Sequence, residues 1–206
     1  MVLAQEALKY LQEGNCRFVS GISSSNIVSH QDRRHELAAR QKPFAIILGC
    51  SDSRAPAEII FDQGLGELFV IRVAGNIVAP SQVGSIGFAA ERFGTRLVVV
   101  VGHSKCGAIL ATIEELRNPS RDQSQNLHSI VDRIRPSVEP LLKKDLGHNP
   151  SILLQQAVRA NICSSVNQLK HGSEVLEQLI QKNGLLIVGA EYSLETGVVD
   201  FFDSLP

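Results

Sequence analysis

Two short runs constrain this chain more than anything else in it. FAIILG (44–49) and, after Arg96, the LVVVVG of RLVVVVG (96–102) are uninterrupted apolar stretches rich in β-branched residues, each closed by a glycine and succeeded at once by residues that carry chemistry. A half-exposed strand alternates apolar and polar residues, whereas a strand buried on both faces reads as a continuous apolar run. Around them the pattern switches between strand-like and helix-like segments: PAEIIF, ELFVIR, VGSIGFAAERF and CGAILATIEELR. Such alternation predicts β-α-β units, and so an α/β domain with a central, mainly parallel β-sheet flanked by helices.

The 206 residues form one domain in this reading, with no internal repeat, linker or low-complexity stretch. Residues 1–40 are expected to be an amphipathic helical arm, ALKYLQEGNCRFVSG followed by HQDRRHELAARQ, with little to do for the core of a single chain. Residues 44–107 are the central unit. Residues 122–206 supply helices near 122–145, 151–170 and 173–183, then two closing strands in GLLIVGAEYSLETGVVDFF. A formal net charge of −1 and no long basic block argue against nucleic acid or an anionic membrane as partner. No apolar run approaches the roughly 20 residues of a membrane helix, and the amino terminus lacks a secretion signal, so the expected location is cytoplasmic.

In an open parallel sheet the loops leaving the carboxyl ends of the strands line the ligand crevice. FAIILG runs into Cys50, Ser51, Asp52, Ser53 and Arg54; RLVVVVG runs into His103, Ser104, Lys105, Cys106 and Gly107. If the two strands are parallel neighbours, both loops open on one edge. Two sulfurs and an imidazole then converge, the ligand set of a zinc site with an open fourth position. The His-x-x-Cys spacing suits a turn entering a helix, with Gly107 allowing close backbone approach. On spacing alone, a buried structural Cys50 with an exposed His-x-x-Cys is equally open. Two thiolates would offset the charge of Zn2+, so water on the ion would need help. Asp52 is placed to accept a hydrogen bond from such a water, and Arg54 to hold Asp52 as a bidentate pair, unless the two form an ordinary surface ion pair.

CSDSR, ELFVIRVAGN and GHSKCG, in that order and spacing, resemble the β-class carbonic anhydrases. The resemblance implies Cys50, His103 and Cys106 as zinc ligands, Asp52–Arg54 as a catalytic dyad, and reversible hydration of CO2 to bicarbonate and a proton. It further implies dimers or tetramers in which the amino-terminal helices wrap a neighbour. Gln41 stands where plant-like members use a glutamine across the interface, Phe69 fits an apolar wall of the substrate pocket, and Phe88 replaces a tyrosine of some members. Both phenylalanines also read as ordinary core residues. Two forms are known in the family, so Asp52 is expected as a fourth ligand at low pH and on Arg54 at high pH.

The anion pocket of bicarbonate-regulated members is matched only by Arg72 and Tyr192. Its tryptophan position is Ile47, so weak or absent bicarbonate inhibition is expected, and an interface or substrate-side structural role is favoured for Arg72. Cys16 and Cys163 read as buried structural thiols, Lys105 as pointing to solvent, and His30, His35, His128, His148 and His171 as alternative proton relays. Other readings are a hydrolase of the same fold acting on CS2 or COS, and a non-catalytic protein whose zinc only ties loops together. A nucleobase deaminase would need a glutamate two residues after the histidine and a Cys-x-x-Cys pair; neither is present.

Overall fold

The computed structural model describes residues 2–22, 31–119, 124–143 and 149–202. Five strands form one sheet: β1 Ala45–Gly49, β2 Leu68–Arg72, β3 Leu97–His103, β4 Leu186–Tyr192 and β5 Val199–Phe202, in spatial order β2-β1-β3-β4-β5. The first four are parallel, and β5 returns antiparallel to β4 through the turn after Tyr192. FAIILG and RLVVVVG are therefore parallel neighbours, with Gly49 opposite Val101, and the loops after them do open on one edge.

Side chains along β1 alternate between two cores. Ile46 and Leu48 join Val98, Val100 and Ile187 beneath five helices: α4 Pro80–Arg92, α5 Gly107–Arg117, α6 Gln125–Lys143, α7 Pro150–His171 and α8 Glu174–Asn183. Ala45 and Ile47 join Leu97, Val99, Val188 and Ala190 on the other face. That face is covered by α1 Ala4–Val19 and the short α3 Ala57–Ile60; α2, Gln31–Ala39, precedes β1. Burial on both faces is why these strands read as continuous apolar runs. No helix among the described residues is long and apolar enough to cross a membrane.

The amino-terminal helix departs from expectation. Ala7 and Leu11 of α1 have no exposed surface and belong to the core of their own chain. Asn15 is a buried anchor: its amide donates to the carbonyls of Ile60 (3.0 Å) and Gly197 (2.9 Å), and its oxygen accepts from the Val199 amide (2.8 Å). Arg17 adds an ion pair to the buried carboxylate of Asp62 at 2.5 Å. Helical periodicity showed that one face of α1 is buried but not what buries it. Cys16, one position past Asn15, falls off the buried face and is exposed, contrary to expectation; Cys163 on α7 is half-buried.

Helix α7 matters most for the site. Asn149 caps it, its side-chain oxygen accepting from the amides of Ser151 (3.2 Å) and Ile152 (3.3 Å), and Pro150 occupies the first turn, where its missing N–H costs nothing. It lies so close on β3 that a Cβ at Gly102 would stand 2.6 Å from Ile162. A larger residue at 102 would push the helix off the sheet next to His103.

Candidate metal centre

Three strand-end positions converge. Cys50 is the first residue beyond β1, His103 the last of β3, and Cys106 the N-cap of α5; all three are buried. Their sulfur and nitrogen ligand atoms lie within 4.8 Å of one another, with the two sulfurs 3.9 Å apart. A tetrahedron with metal–sulfur bonds of about 2.3 Å separates two sulfurs by about 3.8 Å, so the spacing of the two thiols suits a tetrahedral metal site. Among the described residues it is the one such group.

The imidazole is set for ligation. His103 Nδ1 lies 2.9 Å from the Ser104 carbonyl, which can only accept, so Nδ1 carries the proton and Nε2 the lone pair. Nε2 is buried and has no hydrogen-bond partner. A buried ring nitrogen left unpaired costs free energy that a cation at this position would recover.

The thiols divide one proton. A hydrogen bond from Cys106 stabilises the Cys50 thiolate and lowers its pKa to about 4, against the opposing cost of burial, with His103 and the Gly75 amide adding to the effect. Cys106 is pushed up, first by its bond to Cys50 and then by burial; the amides of Ala108 and Ile109 at the start of α5 pull weakly the other way. Burial disfavours the His103 imidazolium, but the neighbouring Cys50 thiolate outweighs it and the net shift is upward. A divalent cation removes the obstacle to a second thiolate.

Asp52 and Arg54 sit at the mouth. Arg54 donates from Nε to Asp52 Oδ1 (2.9 Å) and from its terminal nitrogen to Oδ2 (2.7 Å), and its backbone amide adds a third bond to Oδ1 (3.0 Å). Held this way, the Asp52 carboxyl stays well below the usual carboxylate range. Its Oδ2 is 3.7 Å from His103 Nε2, so the carboxylate faces the cluster.

The other predicted residues are not gathered here. Phe69 pairs across the sheet with Ile46, four residues before Cys50 and so about 13 Å back along the strand. Its ring packs with Phe88 (6.4 Å) and Phe93 (6.0 Å). Gln41 precedes β1 and lines a 790 Å³ groove with Arg34, Arg40 and Arg92. Arg72 donates to the carbonyls of Cys50 (3.0 Å) and Asp52 (2.6 Å), holding the loop's backbone. Tyr192 is opposite His103 on β4, three strand spacings from β2, and packs on Phe18. A Cβ at Gly107 would meet nothing within 4 Å, so there is open space there rather than a close backbone approach. His35 and His171 are exposed and His128 half-buried, with no hydrogen bond to the cluster among the described residues; His30 and His148 lie outside those residues.

Two sets of contacts escaped the sequence reading. Lys105, exposed as expected, also pairs with Glu195 (2.5 Å), and the Ser104 hydroxyl donates to the same carboxylate (2.9 Å) while accepting from the Leu194 amide (3.0 Å). The turn between β4 and β5 thereby latches the His103–Cys106 loop. On the buried side, Asn161 and Ser165 of α7 bond to the 3-10 turn Ala74–Asn76. The one signal available in the sequence was two polar residues in an otherwise apolar stripe of α7.

A family model described as carbonic anhydrase matches residues 45–199, and structural neighbours carry the β-class name. The chain belongs to the β-class carbonic anhydrases. It is 39% identical to carbonic anhydrase 2 of Mycobacterium tuberculosis over 191 residues, covering 93% of this chain and 89% of that one. With a carbonic anhydrase of Pseudomonas aeruginosa it shares 47% identity over 175 residues, covering 81% and 76%. The crystal structure of a β-carbonic anhydrase of Aspergillus fumigatus superimposes with a TM-score of 0.76 at 23% identity, over 98% of this chain and 91% of that one. The fold of this carbonic anhydrase is thus that of its class, and its Cys50–His103–Cys106 cluster is the place where a metal ion would be held.

Proposed function

We propose that Cys50, His103 and Cys106 hold a zinc ion and that the site hydrates CO2 reversibly to bicarbonate and a proton. The observation that carries this reading is the buried, unpartnered His103 Nε2 beside two thiols at tetrahedral spacing. Zinc supplies a Lewis acid that makes water acidic enough to act as nucleophile near neutral pH. Cys50 and Cys106 bring two negative charges that weaken this effect, which gives Asp52 its importance. An ionised carboxylate only accepts hydrogen bonds, so Asp52 selects and aims an O–H donor at the cluster, and Arg54 keeps it ionised and in place. The open space at Gly107 leaves room for a small linear substrate beside Cys106.

Asp52 is also the residue through which we read a pH switch. Its pKa is depressed, so the Arg54 pair is intact above the ordinary aspartate value and lost only as pH falls through the lower folded value. A closed site at low pH would therefore not come from protonating Asp52; it would need the carboxylate to leave Arg54 and turn to the cluster, where it would serve as a fourth ligand. Zinc-loaded structures at acidic and alkaline pH check this, and Asp52 still on Arg54 in the acidic one sinks the switch.

Gln41, Phe69 and Phe88 stand toward the amino end of the sheet, away from Cys50, so their contribution to a substrate pocket is to that of a neighbouring copy in a dimer or tetramer. Phe88 is 53% exposed in the single chain and β2 is a half-buried edge strand, both consistent with a covered surface. Sedimentation analysis finding only monomer overturns this part of the reading. The central test is stopped-flow CO2 hydration at neutral and alkaline pH, with zinc quantified, on wild type and Asp52→Asn. Wild type is expected to hydrate CO2 and Asp52→Asn to lose about 100-fold while keeping its zinc. A zinc-replete wild type inactive at both pH values overturns the proposal.

A further inference from the structure

The Ala74–Asn76 turn is an unusual piece of backbone to find beside a metal ligand. Gly75 (φ 68°) and Asn76 (φ 43°) are successive left-handed residues, a conformation the chain does not hold unaided. It directs the Gly75 amide at Cys50 Sγ, 3.4 Å away. Both carbonyls of the turn are gripped from one helix: Asn161 Nδ2 donates to Gly75 O (2.8 Å) and Ser165 Oγ to Asn76 O (3.0 Å). Asn161 and Ser165 are one helical turn apart and almost fully buried. The apolar side of the turn is wedged as well, since a Cβ on Gly75 would stand 2.7 Å from Ile134 of α6.

We propose that Asn161 and Ser165 are positioning residues for the Cys50 ligand: through the strained Gly75–Asn76 turn they aim a backbone N–H at its sulfur, and so set how strongly that sulfur donates to the metal. This inference rests on the proposed zinc site. An N–H donated to a thiolate withdraws electron density from sulfur, and a thiolate fixed before the metal arrives loses less freedom on binding. Both effects act on ligand Cys50 and leave Cys106 untouched. A merely structural pair would stabilise α7 without altering the sulfur.

The test uses the full chain loaded with Co2+ in place of zinc, because the thiolate-to-cobalt charge-transfer band reports the sulfur directly. Wild type, Asn161→Ala, Ser165→Ala and Ser165→Thr are compared with Leu169→Ala, which removes a fully buried side chain from the same helix, one turn beyond Ser165. Asn161→Ala and Ser165→Ala are expected to move the band to longer wavelength, because the sulfur regains electron density, and to weaken zinc about 10-fold in chelator competition, the lost fixing of the thiolate outweighing its stronger donation. Ser165→Thr restores both, and Leu169→Ala lowers the melting temperature with the band in place. Should Asn161→Ala fail to fold, the Ser165 pair carries the test. A band at the wild-type position in Ser165→Ala, or an equal shift in Leu169→Ala, overturns the inference alone. A wild type with no such band overturns the metal reading and this inference with it.

Discussion

The two loops that carry the thiols are held from opposite sides. The Cys50 loop is gripped from within: Gly75 reaches its sulfur, Asn161 and Ser165 hold the turn that carries Gly75, and Arg72 ties its carbonyls. The His103–Cys106 loop is latched from the solvent side by Glu195 through Lys105 and Ser104. Buried hydrogen bonds are costly to leave half-made, whereas exposed ion pairs are screened and contribute little. The Cys50 loop is thus tied mainly to the core, while the His103–Cys106 loop adds to its backbone bond with Tyr192 a contact that water and salt can compete for.

The largest effect expected is common to both sides. Cys50→Ala and Cys106→Ala should each abolish zinc retention after dialysis against a chelator, since two ligands do not hold the ion under competition. A variant that keeps stoichiometric zinc shows that the replaced cysteine is not a ligand. Next comes the inner grip. Gly102→Ala forces Ile162 and α7 away from β3, with an expected cost of about 2 kcal/mol in urea unfolding. Asn161 neighbours Ile162, so zinc affinity should fall in parallel; stability lost with affinity unchanged breaks the link between α7 and Cys50.

The outer latch should yield least. Glu195→Gln is expected to leave the melting temperature nearly unchanged and to speed hydrogen exchange at the Leu194 amide, while the Gly75 amide stays protected. Equal acceleration at both amides erases the distinction between the loops. Lys105 and Ser104 hold the Glu195 pKa down to about 2, so in wild type the latch is complete above the ordinary value of 4.5 and lost as pH falls through about 2. In Glu195→Gln the Leu194 exchange, corrected for its intrinsic rate, should lose that acid dependence.

Much of the cluster was legible because its parts are consecutive in sequence: a buried strand, a glycine and a ligand, twice over, with His103 and Cys106 three apart. Local spacing also conveyed Asp52 and Arg54, whose contact spans two residues. Asn161, Ser165 and Glu195 were not legible, since their partners lie roughly 90 positions away and each is unremarkable where it stands: small polar residues in a helix and an acid in a turn. The carbonyl partners of Arg72 were not legible either, because a guanidinium's partner cannot be told from its neighbours in sequence. Cys16 was misplaced for a related reason. Helical periodicity defines a buried face, but the edge of that face depends on the surface that packs there.

By itself the sequence determined the class of fold and the residue types at the site, because continuous β-branched runs can satisfy their burial only inside a sheet covered on both faces, and parallel strands ending in glycine deliver their next residues to one edge. Tertiary structure alone decided that α1 belongs to the core of its own chain, that Gln41, Phe69 and Phe88 stand apart from Cys50, and that the two thiols are held by unlike means. Those outcomes depend on which distant surfaces meet and how much water remains between them, and neither quantity is encoded in any local stretch of residues.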